Sequence, residues 1–230
     1  MAVCRKGSSP FGPIGIFITM TEERTSTLER VDPFYLPIFL YKDAITDEQC
    51  DALRQYADAI EDWGSCIEGN DNAMHLCYDK DVMSHMSDMK FHFEALMQDI
   101  STQIMRQITE GFAIRSSWFT RTRKGEVSTM HNHKNYYMSG VLYLQDDNRL
   151  VIQNPHFEKT HFVFGVQDQS PYTCFSTMIY APKNSLLIMP AYMFHQVPTW
   201  DKDDEVRYSL AMNFHPIGHY GIDASSITVK

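Results

Sequence analysis

The spacing of apolar residues divides the chain into a helical first half and a β-rich second half. Thr46 and Gln49 stand three residues apart in the pattern of a capping box, which marks the start of a helix. Apolar residues then recur at the helical period: Cys50, Leu53, Ala57 and Ile60. Gly64 follows them, and because glycine commonly terminates helices it predicts the end of this first helix.

A longer apolar stripe predicts a second helix, after a loop over residues 66–80 that is rich in Asp, Asn and Gly. The stripe consists of Met86, Met89, Phe93, Leu96, Ile100, Ile104 and Ile108. Gly111 lies just past the stripe and predicts the end of the helix. Methionine adapts to irregular core space, so we expect these methionines to fill the core rather than to bind a cofactor.

Short runs of β character dominate from residue 112 onward. The predicted strands are 113–121, 138–144, 150–153, 162–164, 176–180, 185–189 and 206–214. An earlier run, 34–41, is also of β type, and Pro37 within it favours an edge position. Strands preceded by helices predict a mainly β fold with packed helices, a sandwich or a barrel. Residues 1–30 lack periodicity and are expected to form an N-terminal arm, with residues 31–230 as a single domain.

Composition and charge narrow the class of function. The 230 residues include 29 acidic and 20 basic side chains, a net charge of −9, so we expect no nucleic-acid scaffold as a partner. The five cysteines form no CxxC pair, which favours a reducing compartment over a disulfide framework. We find neither an apolar run of transmembrane length nor a signal-peptide pattern. The expectation is a cytoplasmic protein without a membrane partner.

Three histidines are candidate metal ligands. Alternation along one strand places His131 and His133 on the same side, where two imidazoles can converge on one ion. Taken alone, the pair is equally compatible with two neighbouring surface histidines. His195 follows the apolar run 186–190 and lies at the mouth of a buried strand, which favours a third ligand. A hydrogen-bonded core histidine would give the same sequence pattern.

An arginine in an alternating strand adds a candidate anion site. In the run 206–214, Arg207 and Ser209 share a face with Ala211 and Asn213. An inward-facing guanidinium is costly unless it meets an anion, and its planar fork suits a carboxylate. The alternative is an arginine on the solvent face of the strand. An inward Arg207 would turn a metal site into a site for a metal and a carboxylate.

The order of these motifs resembles the iron(II)- and 2-oxoglutarate-dependent oxygenases, and most closely their prolyl-hydroxylase-like subgroup. The resemblance covers roughly residues 112–216. It rests on Trp118, Gly125, His131-x-His133, the run 139–144, Asn154-Pro155, Pro190 to His195-x-Val197, and Arg207-x-Ser209 to Asn213-Phe214. It implies the double-stranded β-helix fold of that family, also called a jelly roll.

The resemblance also implies roles for individual residues. His131 and His195 would be metal ligands for iron(II). Arg207 would pair with the far carboxylate of the co-substrate 2-oxoglutarate, helped by Ser209 and by Tyr143. The implied activity uses dioxygen and releases succinate and CO2 as it oxidises, usually hydroxylates, a substrate. The substrate stays open between a protein residue and a small molecule, and the implied setting is a microbial or viral-host cytoplasm.

One position departs from the family pattern. His133 stands where these oxygenases usually carry an aspartate, since the common facial triad is two histidines and one carboxylate. Asp146 and Asp147 are near in sequence but belong to the far end of the next strand, so we expect His133 to be the third ligand. Three neutral imidazoles would leave the iron more positive than the usual set.

Two other functions compete for the same residues. Gly125 followed by His131-x-His133 also reproduces the start of the cupin motif, and a cupin-type metalloprotein would not use 2-oxoglutarate. The glutamate that cupins carry soon afterwards is missing from residues 134–138, and Arg207-x-Ser209 favours the oxygenase. A jelly-roll binding module without a catalytic metal is the second alternative. The fold expectation is the same for all three.

Overall fold

The computed structural model describes residues 16–20, 24–28, 37–107, 110–155, 174–203, 205–220 and 226–230. The chain divides into two compact units, residues 1–36 and residues 37–230. In the first unit, strand β1 (Ile16–Met20) pairs antiparallel with β2 (Arg24–Leu28). The segment expected to be an arm without periodicity therefore contains a β-hairpin. The first part of the predicted run 34–41 lies outside the described residues.

The second unit is built on two antiparallel sheets. Its strands are β3 (Phe39–Tyr41), β4 (Trp63–Ser65), β5 (His75–Cys77), β6 (Gly111–Thr122), β7 (Met138–Tyr143), β8 (Asn148–Gln153), β9 (Ser176–Ala181), β10 (Leu186–Pro190), β11 (His195–Gln196), β12 (Arg207–Tyr220) and β13 (Ile227–Val229). The larger sheet has the order β3-β10-β7-β12-β6-β5-β4, with β13 beside β12, and the smaller sheet has the order β11-β8-β9. The predicted mainly β fold with packed helices is confirmed.

Helix α1 spans Asp47–Asp58 and begins with the predicted capping box. The backbone N–H of Gln49 donates to Thr46 Oγ1 at 3.2 Å, and the N–H of Thr46 donates to Gln49 Oε1 at 2.9 Å. The prediction that Gly64 ends this helix is wrong. The helix stops at Asp58, and Gly64 lies in β4, where it pairs with Leu76 of β5. Sheet pairing, a non-local interaction, decides the conformation there.

Helix α2 spans Ser87–Asp99 and continues as a π-helical turn over Ile100–Ile104. The predicted apolar stripe forms the buried face of this helix at Phe93 and Ile100, which are both fully buried. The stripe does not extend as far as predicted: Ile104 is 59% exposed and Ile108 lies outside the described residues. Gly111 opens strand β6 instead of capping the helix, because it pairs with Ile217 of β12. No helix in the described ranges has both the length and the apolar character needed to cross a membrane.

Five of the seven later strands appear within two residues of their predicted bounds. The run 206–214 also forms a strand, β12, which continues six residues further to Tyr220. The predicted strand 162–164 lies outside the described residues. The predicted loop 66–80 contains β5, whose three residues pair with β4 and β6. A three-residue strand is too short to show a period, so the sequence could not reveal it.

The larger sheet separates two apolar cores. Its outer face carries Tyr208, Leu210, Met212 and Phe214 of β12 into a core shared with both helices. On its inner face, residues of the larger sheet such as Val141 of β7 form the second core with residues of the smaller sheet such as Ile152 of β8. Strand alternation therefore turns the odd-numbered residues of β7 and β12 toward the space between the sheets. This arrangement brings polar side chains into an otherwise apolar interior.

Candidate active site

A cavity of about 530 Å³ lies on the inner face of the larger sheet. All six residues selected from the sequence line it: His131, His133, Tyr143, His195, Arg207 and Ser209. They come from β7, β11, β12 and the connection between β6 and β7. The structure therefore brings together residues separated by as many as 78 positions in the chain.

The three histidines converge at one place in this cavity. His131 and His195 form an antiparallel bridge, with N–H···O distances of 2.9 and 2.8 Å in the two directions. The backbone N–H of His133 donates to the carbonyl of Ala191 at 2.8 Å, which fixes the second histidine beside the first. The ring centroids are 4.4 to 5.3 Å apart, and the candidate ligand atoms all lie within 4.8 Å of one another. Within the described part of the chain, this is the one such cluster.

Backbone carbonyls fix the tautomers of two of these rings. His131 Nδ1 lies 2.8 Å from the carbonyl oxygen of Thr129, and His195 Nδ1 lies 2.9 Å from that of Met193. A carbonyl oxygen only accepts hydrogen bonds, so Nδ1 carries the proton on both rings. Nε2 is then the lone-pair nitrogen that a metal can use, as in metal sites where a second partner orients each histidine.

The His133 ring is held by side chains instead of by the backbone. His133 Nδ1 lies 2.6 Å from Asn213 Oδ1 and 2.8 Å from Ser139 Oγ, and the Asn213 amide donates to Ser116 Oγ at 2.9 Å. Asn213 pairs with Ser139 of β7 and Ser116 of β6 in the sheet, so the network crosses three strands. The Trp118 ring packs against His133 at 5.5 Å. This network leaves Nε2 of His133 available to a metal.

Burial keeps two of the imidazoles neutral. Desolvation lowers the pKa of His133, and desolvation together with the nearby His131 lowers the pKa of His195 to about 3. A metal binds the neutral ring, so the protons that compete with a metal on these two rings are weakly held. The donor set therefore suits a divalent transition metal at neutral pH.

The lowered pKa of His195 makes the stability of the metal-free protein depend on pH. The unfolded chain protonates this histidine near pH 6.5 and the folded chain near pH 3, so between those values the unfolded state binds more protons. Acidification from pH 7 to pH 4.5 is expected to cost about 2 kcal/mol of unfolding free energy through His195 alone. Urea unfolding of wild type and His195→Gln at both pH values measures this. Equal losses in the two proteins would contradict it.

The two aspartates considered as alternative ligands lie elsewhere. Asp146 accepts a hydrogen bond from the backbone N–H of Lys183 at 3.0 Å, and Asp147 forms an ion pair with Lys202 at 2.7 Å. No aspartate or glutamate is among the described residues that line the cavity. The assignment of His133 as the third ligand stays a prediction, and the absence of a nearby carboxylate from this lining supports it.

The amide of Asn213 provides a test of that assignment. Loss of its acceptor in Asn213→Leu is expected to weaken metal binding by about 10- to 100-fold, because an unanchored His133 samples other orientations. Asn213→Asp keeps an acceptor of the same shape and is expected to retain binding. Competition against a chromophoric chelator gives the metal affinity, and circular dichroism checks the fold. Unchanged affinity in folded Asn213→Leu would contradict a metal-binding role for His133.

Arg207 lies in the same cavity and is 2% exposed. Its Nε donates to Asn148 Oδ1 at 3.1 Å, whereas Nη2 is buried without a hydrogen-bond partner among the described residues. Its guanidinium carbon lies 5.7 Å from the Tyr143 ring and 6.0 Å from the Trp200 ring. No ion pair in the described part of the chain involves Arg207. A buried cation without an acidic partner is arranged to receive an anion.

Three residues with hydroxyl groups line the same cavity in one row across the sheet. Thr120, Ser209 and Tyr143 are register partners on β6, β12 and β7. Ser209 Oγ and Thr120 Oγ1 are 2.6 Å apart, while the Tyr143 hydroxyl is buried and has no partner among the described residues. Burial raises the pKa of Tyr143 to about 12, so it stays a hydrogen-bond donor. Hydrogen-bond donors and a positive charge in one cavity are groups that suit a carboxylate.

Sequence reasoning missed several residues that support the site. Thr120 and Asn148 were given no role, although each contacts a predicted residue. Asn213 was placed on the inward face but not linked to His133. Alternation from Trp118 along β6 also places Thr120 on the cavity side, so the pattern contained a signal for it. Asn148 could not be found in this way, because its contact with Arg207 joins two different sheets.

The fold and the site together define a class of protein: a β-sandwich in which three convergent histidines and a buried arginine without an acidic partner among the described residues line one cavity. Residues 116–213 match the family model described as "Putative 2OG-Fe(II) oxygenase". That segment contains all six predicted site residues. The predicted resemblance to this family is confirmed, whereas the prolyl-hydroxylase-like subgroup stays a prediction.

Several solved structures share the fold. HygX from Streptomyces hygroscopicus, with nickel and 2-oxoglutarate bound, is 11% identical and has a TM-score of 0.53, covering 79% of this chain and 83% of its own. A 2OG-Fe(II) oxygenase family oxidoreductase from Burkholderia pseudomallei is 12% identical, with a TM-score of 0.54 and coverage of 77% and 84%. The carbocyclase SnoK from nogalamycin biosynthesis is 8% identical, with a TM-score of 0.57 and coverage of 84% and 82%. No curated protein sequence matches the chain. The jelly-roll prediction is confirmed.

Proposed function

We propose that this chain is an iron(II)- and 2-oxoglutarate-dependent dioxygenase that hydroxylates a C–H bond of its substrate and releases succinate and CO2. The observation that carries the proposal is the buried, unpaired guanidinium of Arg207 in the same cavity as three convergent imidazoles. A metal site alone is common to many protein classes. A metal site with a pre-formed pocket for a second carboxylate is typical of enzymes that bind a keto acid to the metal.

The chain's own residues would hold the metal and orient the co-substrate. His131, His133 and His195 would bind iron(II) through Nε2 and leave the remaining coordination positions open. Iron(II) bound there supplies the activation of dioxygen that couples decarboxylation of 2-oxoglutarate to oxidation of the substrate. The three histidines carry no negative charge, so the dianionic co-substrate would balance the charge of the metal.

Arg207 would fix the far carboxylate of 2-oxoglutarate and so determine where its keto acid end lies. The free Nη2 of Arg207 and the hydroxyl groups of Tyr143 and Ser209 offer donors to that carboxylate. The hydroxyl groups of Thr120 and Ser209 share a hydrogen bond, and this bond orients Ser209. Apolar walls built by Val141 and other residues of the two sheets exclude water around these groups, which strengthens each charged hydrogen bond.

The competing functions lack an equivalent observation. A cupin-type metalloprotein has no need of the unpaired Arg207, and a binding module without metal has no need of three convergent imidazoles whose rings are held by hydrogen bonds. We also propose a reducing, cytoplasmic setting. Its support is that all four described cysteines are free thiols: Cys50, Cys66, Cys77 and Cys174.

Release of succinate from 2-oxoglutarate tests the proposal without knowledge of the substrate. Enzymes of this chemistry consume the co-substrate slowly when no substrate is present, so iron(II)-reconstituted protein should form succinate in air. His131→Ala under identical conditions is the control for free iron. Succinate formation that depends on His131 is the expected result. Succinate at the level of the His131→Ala control, in protein shown to contain iron, would contradict the function.

A further inference from the structure

A second cation faces the cavity, and the co-substrate pocket does not use it. Lys80 lines the cavity, where it and Arg207 are the two basic side chains among the described lining residues. The same lining contains no carboxylate, although the whole chain has a net charge of −9. Cations that meet no carboxylate in a cavity lining favour anionic ligands. Arg207 accounts for one anionic group and leaves Lys80 for another.

The backbone fixes Lys80 beside strand β6. Ser117 of β6 donates its N–H to the carbonyl of Lys80 at 2.8 Å, and Asp81 forms a parallel bridge with Ser117. The Lys80 ammonium lies 5.9 Å from the centroid of the Trp118 ring. That ring in turn lies 5.5 Å from the ring of His133. One aromatic side chain therefore links the ammonium group to the metal-binding histidines.

The ammonium group of Lys80 has unused hydrogen-bonding capacity. It donates to the carbonyl oxygen of Cys77, and an ammonium group carries three donors. The neighbouring Asp79 is engaged elsewhere: one carboxylate oxygen bonds His85 at 3.0 Å and the other accepts the N–H of Asp81 at 2.8 Å. No ion pair within the described ranges involves Lys80.

We propose that the oxidised substrate is an anionic small molecule whose carboxylate or phosphate group pairs with Lys80. Its carbon skeleton would lie along the face of Trp118, so that a C–H bond away from the acidic group reaches the metal beside His133. The apolar cavity wall fits such a skeleton, and Ser116 adds a hydroxyl near Trp118. The inference rests on the proposed function, since it assigns the substrate of that same site.

Binding of matched probes tests this assignment. Protein containing nickel(II) in place of iron(II) is first titrated with 2-oxoglutarate, to fill the Arg207 pocket. It is then titrated calorimetrically with 3-phenylpropionate, 2-phenylethyl phosphate and the neutral 3-phenylpropanamide. An acidic probe should bind at least about tenfold more tightly than the amide, and Lys80→Met should remove that difference. Lys80→Arg should keep most of it. The tighter of the two acidic probes identifies the preferred group.

Lys42→Met is the matched control, because it removes one exposed positive charge outside the cavity lining. Three results would overturn the assignment: equal affinities for acid and amide, an unchanged affinity in Lys80→Met, or an equal loss in Lys42→Met. Failure of both acidic probes to bind at millimolar concentration would overturn it as well. The proposed function fails in the first titration if 2-oxoglutarate does not bind. The probe titrations are repeated on metal-free protein, so that the assignment of Lys80 is tested separately from the proposed function.

Discussion

Arg207→Ala is expected to weaken binding of 2-oxoglutarate to the metal-loaded protein by about 100-fold or more. Removal of one member of a buried, hydrogen-bonded charge pair costs about 2–5 kcal/mol, and each 1.4 kcal/mol is a tenfold change. The loss is expected to be large because Arg207 is buried and its Nη2 has no protein partner among the described residues. Calorimetric titration with 2-oxoglutarate under anaerobic conditions gives the dissociation constant.

Two further variants make this result specific. Arg207→Lys retains the charge but loses the planar pair of donors, so an intermediate loss is expected. Arg115 is an exposed residue on the same sheet, outside the cavity lining, and Arg115→Ala should leave the dissociation constant unchanged. Metal affinity should be the same in all of these proteins. If folded Arg207→Ala bound 2-oxoglutarate as tightly as wild type, the co-substrate would be anchored elsewhere.

His131→Ala is expected to reduce iron(II) affinity by at least about 100-fold, since even a lost partner of a metal-binding histidine costs 10- to 100-fold. Only two imidazoles of the cluster would remain. His133→Asp is expected to behave differently, because it replaces one ligand by the carboxylate of the usual facial triad. We expect His133→Asp to retain iron(II) within about tenfold of wild type. A competing chelator measures both affinities.

His85→Ala is the control for the removal of a histidine, since His85 pairs with Asp79 at the surface and does not line the cavity. Its affinity for iron(II) should equal that of wild type. Equal affinities for wild type and His131→Ala would show that the metal does not bind at this cluster. Complete loss of iron(II) in folded His133→Asp would show that the third position requires an imidazole.

The inward faces of the strands could be predicted from the sequence more accurately than the ends of the helices. Arg207 and Ser209 were assigned to the inward face from the two-residue period of a single strand, which is a local property. The predicted helix ends at Gly64 and Gly111 are wrong, because both are strand residues whose partners, Leu76 and Ile217, come from elsewhere in the chain. Local patterns do not contain that information.

The supporting contacts of the site were hidden for the same reason. Asn213 meets His133 because β12 lies beside β7 in the sheet, and Asn148 meets Arg207 because the smaller sheet covers the larger one. Neither neighbour relation can be read from spacing in the sequence. The resemblance to a family predicts roles for the six main residues, whereas only the structure shows which atoms hold the histidine rings.

The contacts of His133 support the prediction that it replaces the usual carboxylate as a metal ligand. An aspartate brings its own negative charge, whereas a histidine needs a partner that fixes its proton on Nδ1. Asn213 and Ser139 provide that partner at 2.6 and 2.8 Å. The sequence departs from the usual family pattern at residue 133, and the described structure compensates with two neutral polar side chains.

Anaerobic titration of the protein with iron(II), followed by 2-oxoglutarate, tests the central claim most directly. A keto acid that chelates iron(II) through its carboxylate and keto oxygens gives a visible metal-to-ligand charge-transfer band. We expect that band to saturate at one equivalent of iron(II) in wild type and to be lost in His131→Ala. Protein that binds iron(II) at this cluster but develops no band with saturating 2-oxoglutarate would contradict the account.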